Sequence, residues 1–122
     1  GVQLDGESES RSFDAVVLIY THLPDAIRRS AHQRLAAGLR PGGWLFLEAF
    51  HPAQLAYSSG GPKDPDMLYT PALLSADFAG LLTPVLAWHG ETTLSEGPGH
   101  QGLAQVTRWV GRRNALAADP SV

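Results

Sequence analysis

Two histidines stand where a ligand site is expected in an α/β sheet. His22 follows the apolar run Phe13–Tyr20, and His51 follows a second apolar run, Trp44–Phe50. If both runs are parallel strands, their carboxyl ends meet at one edge of the sheet, where ligands bind in open α/β folds. A histidine there can act as a base, orient a substrate or ligate a metal. A histidine that only hydrogen-bonds the backbone at a strand end would occupy the same position.

The second apolar run also contains a carboxylate, Glu48, close to its end. A carboxylate in a buried strand must be paired, protonated or near the mouth of a site. The segment that follows, His51–Tyr69, has no hydrophobic periodicity, which is typical of a functional lid but also of an ordinary solvated loop. The polar candidates for ligand contact in this segment are Tyr57, Lys63, Asp64, Asp66 and Tyr69.

Several other chemistries are excluded or unsupported. The chain has no cysteine, so disulfides, thiolate metal sites and thiol nucleophiles are absent. Its histidines and acids lack metal-ligand spacing, and we expect no metal. No glycine-rich loop joins a strand to a helix for phosphate binding, and no Gly-x-Ser-x-Gly elbow supports a serine nucleophile. The net charge of -3 predicts neither a nucleic-acid nor a membrane partner.

The elements between these residues follow from the hydrophobic pattern. A helix is predicted over Asp25–Leu39. Its inward stripe is predicted to be Ile27, Ala31, Leu35 and Leu39. Pro41-Gly42-Gly43 then forms a tight turn before the second strand. Strand, helix and strand make a βαβ unit with parallel strands, each expected to be buried on both faces.

The second half of the chain predicts a helix and a hairpin. Thr70 and Pro71 suit the start of a helix, as N-cap and first helical residue. Its inner face is predicted to be Leu74, Phe78 and Leu81. Thr83–Leu94 and Leu103–Arg112 are predicted strands, and their short connection indicates antiparallel pairing.

Two segments at this spacing resemble class I S-adenosylmethionine-dependent methyltransferases. They are Phe13-Asp14-Ala15-Val16-Val17 and Leu39-Arg40-Pro41-Gly42-Gly43, the latter followed by an apolar strand. Three further segments resemble the small tellurite-resistance-type and related uncharacterised methyltransferases. These are His22-Leu23-Pro24, Glu48-Ala49-Phe50-His51-Pro52 and Gly60-Gly61-Pro62-Lys63-Asp64.

The resemblance implies an α/β fold that is the carboxyl-terminal half of the family's Rossmann-like sheet. The strands would be 4-5-7-6 of that sheet, the last one antiparallel, with two main helices. Residues 1–12 would be an entry loop, 13–113 the partial domain and 114–122 a flexible tail. The family's amino-terminal half carries a glycine-rich cofactor loop and a ribose-binding acid, and no residue here matches either.

The resemblance also assigns candidate residues. The contacts to the methionine end of the cofactor, S-adenosylmethionine, would come from Tyr20, Thr21 and His22. The substrate side would be formed by His51, Tyr57, Lys63 and Tyr69. His22 and His51 are the catalytic candidates. In such a reaction the protein mainly aligns the acceptor with the methyl group and excludes water, and a base is needed only if the acceptor must lose a proton.

The resemblance therefore predicts methyl transfer to a small molecule, with this chain as the substrate-side half and inactive alone. The alternative is a non-catalytic half-domain that self-associates or binds a partner. An α/β hydrolase using His22 or His51 is disfavoured because the nucleophile elbow is missing. One edge of Phe13–Tyr20 would lack a neighbour, so we expect self-association, as a dimer, or pairing with a missing amino-terminal half. Without cysteine or a recognisable signal peptide, a cytoplasmic location is expected.

Overall fold

The computed structural model describes residues 13–57, 61–95 and 101–115. The strands are β1 (Phe13–Ile19), β2 (Leu39–Phe50), β3 (Leu82–Ser95) and β4 (Gln101–Arg113). The helices are α1 (Asp25–Ala37) and α2 (Pro71–Asp77), and two short 3-10 helices occupy Pro52–Ala56 and Pro65–Met67. The predicted entry loop and most of the predicted tail lie outside the described residues.

The four strands form one mixed sheet in the order β1-β2-β4-β3. β1 and β2 are parallel, and β4 is antiparallel to both of its neighbours, β2 and β3. The predicted α/β class is confirmed: four strands, two helices and an antiparallel last strand. Because β1 and β2 are parallel, their carboxyl ends lie at the same edge of the sheet.

Helix α1 turns a polar stripe towards the core, and the predicted apolar stripe lies beside it: Leu39 is fully buried, but Ala31 and Leu35 are only half-buried. The buried residues of α1 are Arg28, His32 and Ala36. Ile27 is 52% exposed. The helix has this rotation because Arg28 and His32 both reach the Asp77 carboxylate of α2, an interaction that the hydrophobic pattern does not reveal. Periodicity therefore located the helix but not its inward face.

The boundary between α1 and β2 also differs from the prediction. Helix α1 ends at Ala37, where the N–H of Gly38 donates to the Arg34 carbonyl oxygen (3.2 Å). Leu39 is therefore the first residue of β2 rather than the last residue of the helix. The predicted tight turn at 41–43 is an irregularity within β2: Gly42 has φ +83°, and the β1–β2 register slips after the Phe13–Leu39 pair.

Helix α2 begins as predicted. The Thr70 side chain accepts a hydrogen bond from the Leu73 N–H (3.0 Å), and Pro71 is the first helical residue. Leu74 and Phe78 are fully buried. They pack with Trp109 of β4 in the main core, which fills the space between the helices and one face of the sheet.

A second, smaller core lies at the carboxyl end of β2, on the opposite face of the sheet. Successive residues of a strand point to opposite faces, so Phe50 points away from the main core that Ala49 joins. Phe50 is buried with Leu68, Leu94, Ala104 and Val106. The segment 61–68 covers this end of the sheet.

The remainder of that opposite face has no helix over it among the described residues. We call it the bare face, defined by five exposed side chains: Val17, Ile19, Phe46, Leu86 and Trp88 (39–61% exposed). The prediction that β1 is buried on both faces was wrong, because no described element covers this face or the outer edge of β1. None of the helices in the described ranges is long and apolar enough to span a membrane.

Candidate functional site

Tyr20 is the residue at which the chain turns away from β1. Its φ is +52°, a left-handed conformation that is uncommon for a residue with a side chain. The Tyr20 N–H donates to the Glu48 carbonyl oxygen (2.7 Å), which extends the β1–β2 ladder by one bond. The turn places the Tyr20 ring against Phe50, with ring centroids 4.8 Å apart.

Glu48 is paired through both of its carboxylate oxygens. The Tyr20 hydroxyl donates to Oε2 (2.5 Å), and Arg108 Nε of β4 donates to Oε1 (3.0 Å). Glu48 and Arg108 are directly opposite each other in the β2–β4 register. Glu48 is therefore a paired acid, and its partner Tyr20 lines a cleft.

His22 is fixed beside the same rings. Its Nε2 accepts a hydrogen bond from the Phe50 N–H (3.1 Å), and its ring lies 5.5 Å from the Phe50 ring. A neutral imidazole that accepts through Nε2 carries its proton on Nδ1. His22 is therefore a strand-end histidine that hydrogen-bonds the backbone, and it also lies at the candidate site.

A cleft of about 510 Å³ opens between these rings and the segment that covers the second core. One wall is Tyr20, His22 and Phe50, and the other is formed by residues 61–64 and Met67. Gly61 has φ +92°, and a Cβ there would lie 2.9 Å from Phe50 Cδ2, so only glycine lets this segment approach Phe50 closely. The segment predicted as a lid does contribute a wall of the cleft.

The structure brings together three of the predicted site residues: Tyr20, His22 and Lys63 all line the cleft. Thr21, between the first two, is exposed and does not line it. Lys63 is also exposed, on the wall opposite the rings. The cleft therefore has an aromatic wall, and across from it lie a cationic residue, Lys63, and an acidic one, Asp64.

His51 lies elsewhere. Its Nδ1 accepts a hydrogen bond from the Ala53 N–H (3.0 Å) and so caps the first 3-10 helix, while its ring stacks on His89 (4.0 Å). Burial lowers the pKa of His51 below its ordinary value, and the nearby His89 lowers it further. The structure thus gives His51 a local capping contact and does not place it at the cleft.

The two tyrosines predicted at the substrate side are also outside the cleft. The Tyr57 hydroxyl donates to Glu91 Oε2 on β3 (2.9 Å) and accepts from Gln105 Nε2 on β4 (3.0 Å). Tyr69 is fully buried, and its hydroxyl bonds both the N–H (2.5 Å) and the carbonyl oxygen (3.2 Å) of Leu23. Burial raises the pKa of Tyr69. Tyr69 thereby holds the backbone just after His22.

Sequence reasoning missed a buried ionic cluster between the two helices. Asp77 accepts from Arg28 through both oxygens (2.8 and 3.1 Å), and His32 Nδ1 lies 2.8 Å from Asp77 Oδ2. Burial alone would raise the pKa of Asp77, but the hydrogen bonds from Arg28 and His32 outweigh it and hold that pKa below its ordinary value. Burial lowers the pKa of His32. The spacing of Arg28 and His32 by one helical turn was the available signal.

The cleft presents groups that attract either charge. Aromatic faces attract cations, and the Glu48 carboxylate lies behind Tyr20, whereas the ammonium of Lys63 attracts anions. In the described part of the chain no group of three or more histidine and acidic side chains could hold a metal ion.

Among the comparisons with known proteins, the one with solved structures identifies the fold. No protein-family profile and no curated protein sequence matches the chain. A SAM-dependent methyltransferase from Methanosarcina mazei matches with a TM-score of 0.62 at 13% identity, over 88% of this chain and 62% of that one. The N-methyltransferase NodS from Bradyrhizobium japonicum matches with a TM-score of 0.58 at 15% identity, over 85% of this chain and 52% of that one.

A third match is the 1,6-didemethyltoxoflavin-N1-methyltransferase of Burkholderia thailandensis, with a TM-score of 0.57 and 21% identity. It covers 92% of this chain and 47% of that one. The chain thus spans about half the length of these methyltransferases. Its sheet order, antiparallel last strand and two helices match the carboxyl-terminal part of their fold. The chain has a class I methyltransferase-like fold.

Proposed function

We propose that this chain is the substrate-side half of an S-adenosylmethionine-dependent methyltransferase that acts on a small molecule. The observation that carries the proposal is the cleft of Tyr20, His22 and Phe50 at the carboxyl ends of the two parallel strands. In open α/β sheets this edge is where ligands bind. The three solved structures described above are named as methyltransferases, and two of them as N-methyltransferases.

The residues present fit one end of the cofactor. When bound, S-adenosylmethionine supplies a methyl group on a positively charged sulfur. The rings of Tyr20 and His22, with the Glu48 carboxylate behind them, would hold that cationic end. Lys63 on the other wall would attract an anionic group of the acceptor, and the segment around Gly61 would exclude water from the aligned pair.

We further propose that an amino-terminal half of the same fold covers the bare face and pairs with the outer edge of β1. All-parallel sheets are found almost only with both faces covered, and β1 and β2 are the parallel part of this mixed sheet. Here Val17 and Phe46, on the two parallel strands, are 61% and 40% exposed. Two of the solved structures are about twice as long as the segment that they share with this chain. Alone, the chain would be inactive.

The second candidate is a non-catalytic half-domain that self-associates. The observation in its favour is the same bare face beside the open edge of β1. Calorimetry with S-adenosylhomocysteine at micromolar concentration tests whether the cofactor binds tightly without the other half. We expect no measurable heat from the chain alone, since only tight binding is detected at that concentration. Tight one-to-one binding would contradict the proposal that the other half is needed.

A second experiment tests the cleft itself. The ¹⁵N-labelled chain is titrated with S-methylmethionine, a sulfonium, and with methionine, its neutral counterpart, at millimolar concentrations. We expect S-methylmethionine to shift the amide signals of Tyr20, His22 and Gly61, with methionine having at least a several-fold weaker effect. Glu48→Gln should reduce the difference. Equal effects of the two probes would contradict the assignment of this cleft to the sulfonium.

A further inference from the structure

Three side chains form a continuous hydrogen-bonded series from the cleft to the bare face. Tyr20 lines the cleft and donates its hydroxyl hydrogen to Glu48 Oε2 (2.5 Å). Glu48 Oε1 accepts from Arg108 Nε (3.0 Å), and Arg108 packs over the Trp88 ring on the bare face (5.3 Å). We call this series the Tyr20 relay.

The Tyr20 relay contains the groups that general acid–base catalysis needs. A phenol can give its proton to a carboxylate and take another on the same oxygen, since it is both donor and acceptor. The Glu48 carboxylate is in turn oriented by a third group, Arg108, as the base of a catalytic triad is oriented. The backbone adds a second restraint, because Tyr20 N–H is bonded to the carbonyl oxygen of the same glutamate. Tyr20 keeps this arrangement despite its left-handed φ of +52°, and backbone strain of this kind is concentrated at functional sites.

We propose that Tyr20 and Glu48 take up the proton of the methyl acceptor, and that the acceptor therefore carries an N–H or O–H group. This inference rests on the proposed methyl transfer. A bond forms between the acceptor nitrogen or oxygen and the methyl carbon, and the carbon–sulfur bond breaks with its electron pair going to sulfur. The acceptor proton passes to the Tyr20 oxygen while the Tyr20 proton passes to Glu48 Oε2.

His22 does not fill this role in the structure. Its Nε2 already accepts the Phe50 N–H (3.1 Å), and protonation there would break that bond. His22 is instead a wall of the cleft with a fixed ring. An acceptor without a proton to lose, such as a thioether, would leave the Tyr20 relay without a function, so this class of substrate is disfavoured.

Phenol and anisole test the proposal on the 122-residue chain without turnover. The two probes differ only in that the O–H of phenol is methylated in anisole. Titrations followed by the amide signals of Tyr20, His22 and Phe50 give both dissociation constants. We expect phenol to bind about five-fold more tightly than anisole, the effect of one net hydrogen bond.

The variants separate the relay from general packing. Tyr20→Phe keeps the ring and should abolish the preference for phenol, and Glu48→Gln should reduce it if the first variant fails to fold. Tyr57→Phe is the matched control, because Tyr57 also donates to a glutamate, Glu91, but does not line the cleft. It should leave the preference unchanged.

Equal affinity of the wild-type chain for phenol and anisole would overturn the relay, as would a preference that survives Tyr20→Phe. Neither result bears on the sulfonium titration, which tests the proposed methyl transfer separately. Conversely, a chain that binds neither S-methylmethionine nor S-adenosylmethionine at millimolar concentration, but prefers phenol through Tyr20, would overturn the proposed function. It would leave the Tyr20 relay only as a binding site for hydrogen-bond donors, and so would overturn the proton transfer proposed here as well.

Discussion

Tyr20 and Glu48 are joined twice, once through the backbone and once through their side chains. The Tyr20 N–H donates to the Glu48 carbonyl oxygen (2.7 Å), and the Tyr20 hydroxyl donates to the Glu48 carboxylate (2.5 Å). The double connection fixes the first residue after β1 above the end of β2. It explains how Tyr20 is held in a left-handed backbone conformation at the edge where the cleft opens.

The Asp77 cluster is expected to contribute strongly to stability. Asp77→Asn leaves Arg28 and His32 buried without their carboxylate, and breaking a buried ion pair in this way costs about 3–5 kcal/mol. Urea unfolding followed by tryptophan fluorescence measures the loss. The control is Asp14→Asn, which breaks the exposed pair with Arg40 and should cost less than about 1 kcal/mol. Equal losses for the two variants would contradict the structural role of Asp77.

Stability is expected to fall as the pH is lowered. The pKa of His32 is below its ordinary value of 6.5 in the folded chain, so the unfolded chain binds that proton first and unfolding is favoured as the pH falls below 6.5. The pKa of Asp77 is below its ordinary value of 3.8, so a second loss follows as the pH falls through that region. Both losses have the same sign, and neither is present well above pH 6.5. Urea midpoints between pH 8 and pH 3 measure this, and His32→Gln should remove the first loss only. A midpoint that rises on acidification would contradict it.

Replacing Gly61 is expected to lower stability in two ways, through its left-handed backbone conformation and through a close contact with Phe50. An alanine at a left-handed position costs about 1–2 kcal/mol whatever its surroundings. Gly80→Ala isolates that cost, because Gly80 has φ +88° and a Cβ added there would have no neighbouring atom within 4 Å. Gly61→Ala adds the close contact with the Phe50 ring at 2.9 Å. It should therefore destabilise more than Gly80→Ala in urea titrations and alone shift the Tyr20 and His22 amide signals.

The bare face is expected to drive association of the isolated chain. At micromolar concentration, sedimentation velocity should show species larger than the monomer, since exposed apolar patches and open strand edges favour association. Phe46→Lys on the bare face should shift the distribution towards monomer. Ile27→Lys is the control, because Ile27 is similarly exposed but lies on α1, on the helical side of the sheet. A wild-type chain that is already a clean monomer would refute this expectation.

Much of the fold could be predicted because strong local signals agreed. The apolar runs on either side of a helix-length segment indicated the βαβ unit, and Thr70-Pro71 indicated the start of α2. The inward face of α1 could not be predicted, because it depends on an ion pair with Asp77. Asp77 lies at the end of α2, 49 residues further along the chain than Arg28. Ion pairs between distant elements leave no periodicity.

The position of the site could be predicted better than the residues that form it. Strand ends identified Tyr20 and His22, because the geometry of parallel strands places their carboxyl ends together. Tyr57 and Tyr69 lie on a segment without periodicity, and nothing local shows that one bonds Glu91 and the other Leu23. Arg108 could be recognised as the partner of Glu48 only after the β2–β4 register was known.

Titration of the ¹⁵N-labelled chain with S-adenosylmethionine at millimolar concentration, where weak binding is detected, tests the central claim most directly. The chain has a second cleft of about 490 Å³ at the other end of the sheet, which includes Gly42 and Arg112 and serves as an internal control. We predict amide shifts at Tyr20, His22 and Gly61, and none at Gly42 or Arg112. Shifts confined to the second cleft, or none at millimolar ligand, would contradict the assignment of the Tyr20 cleft to the methyl donor.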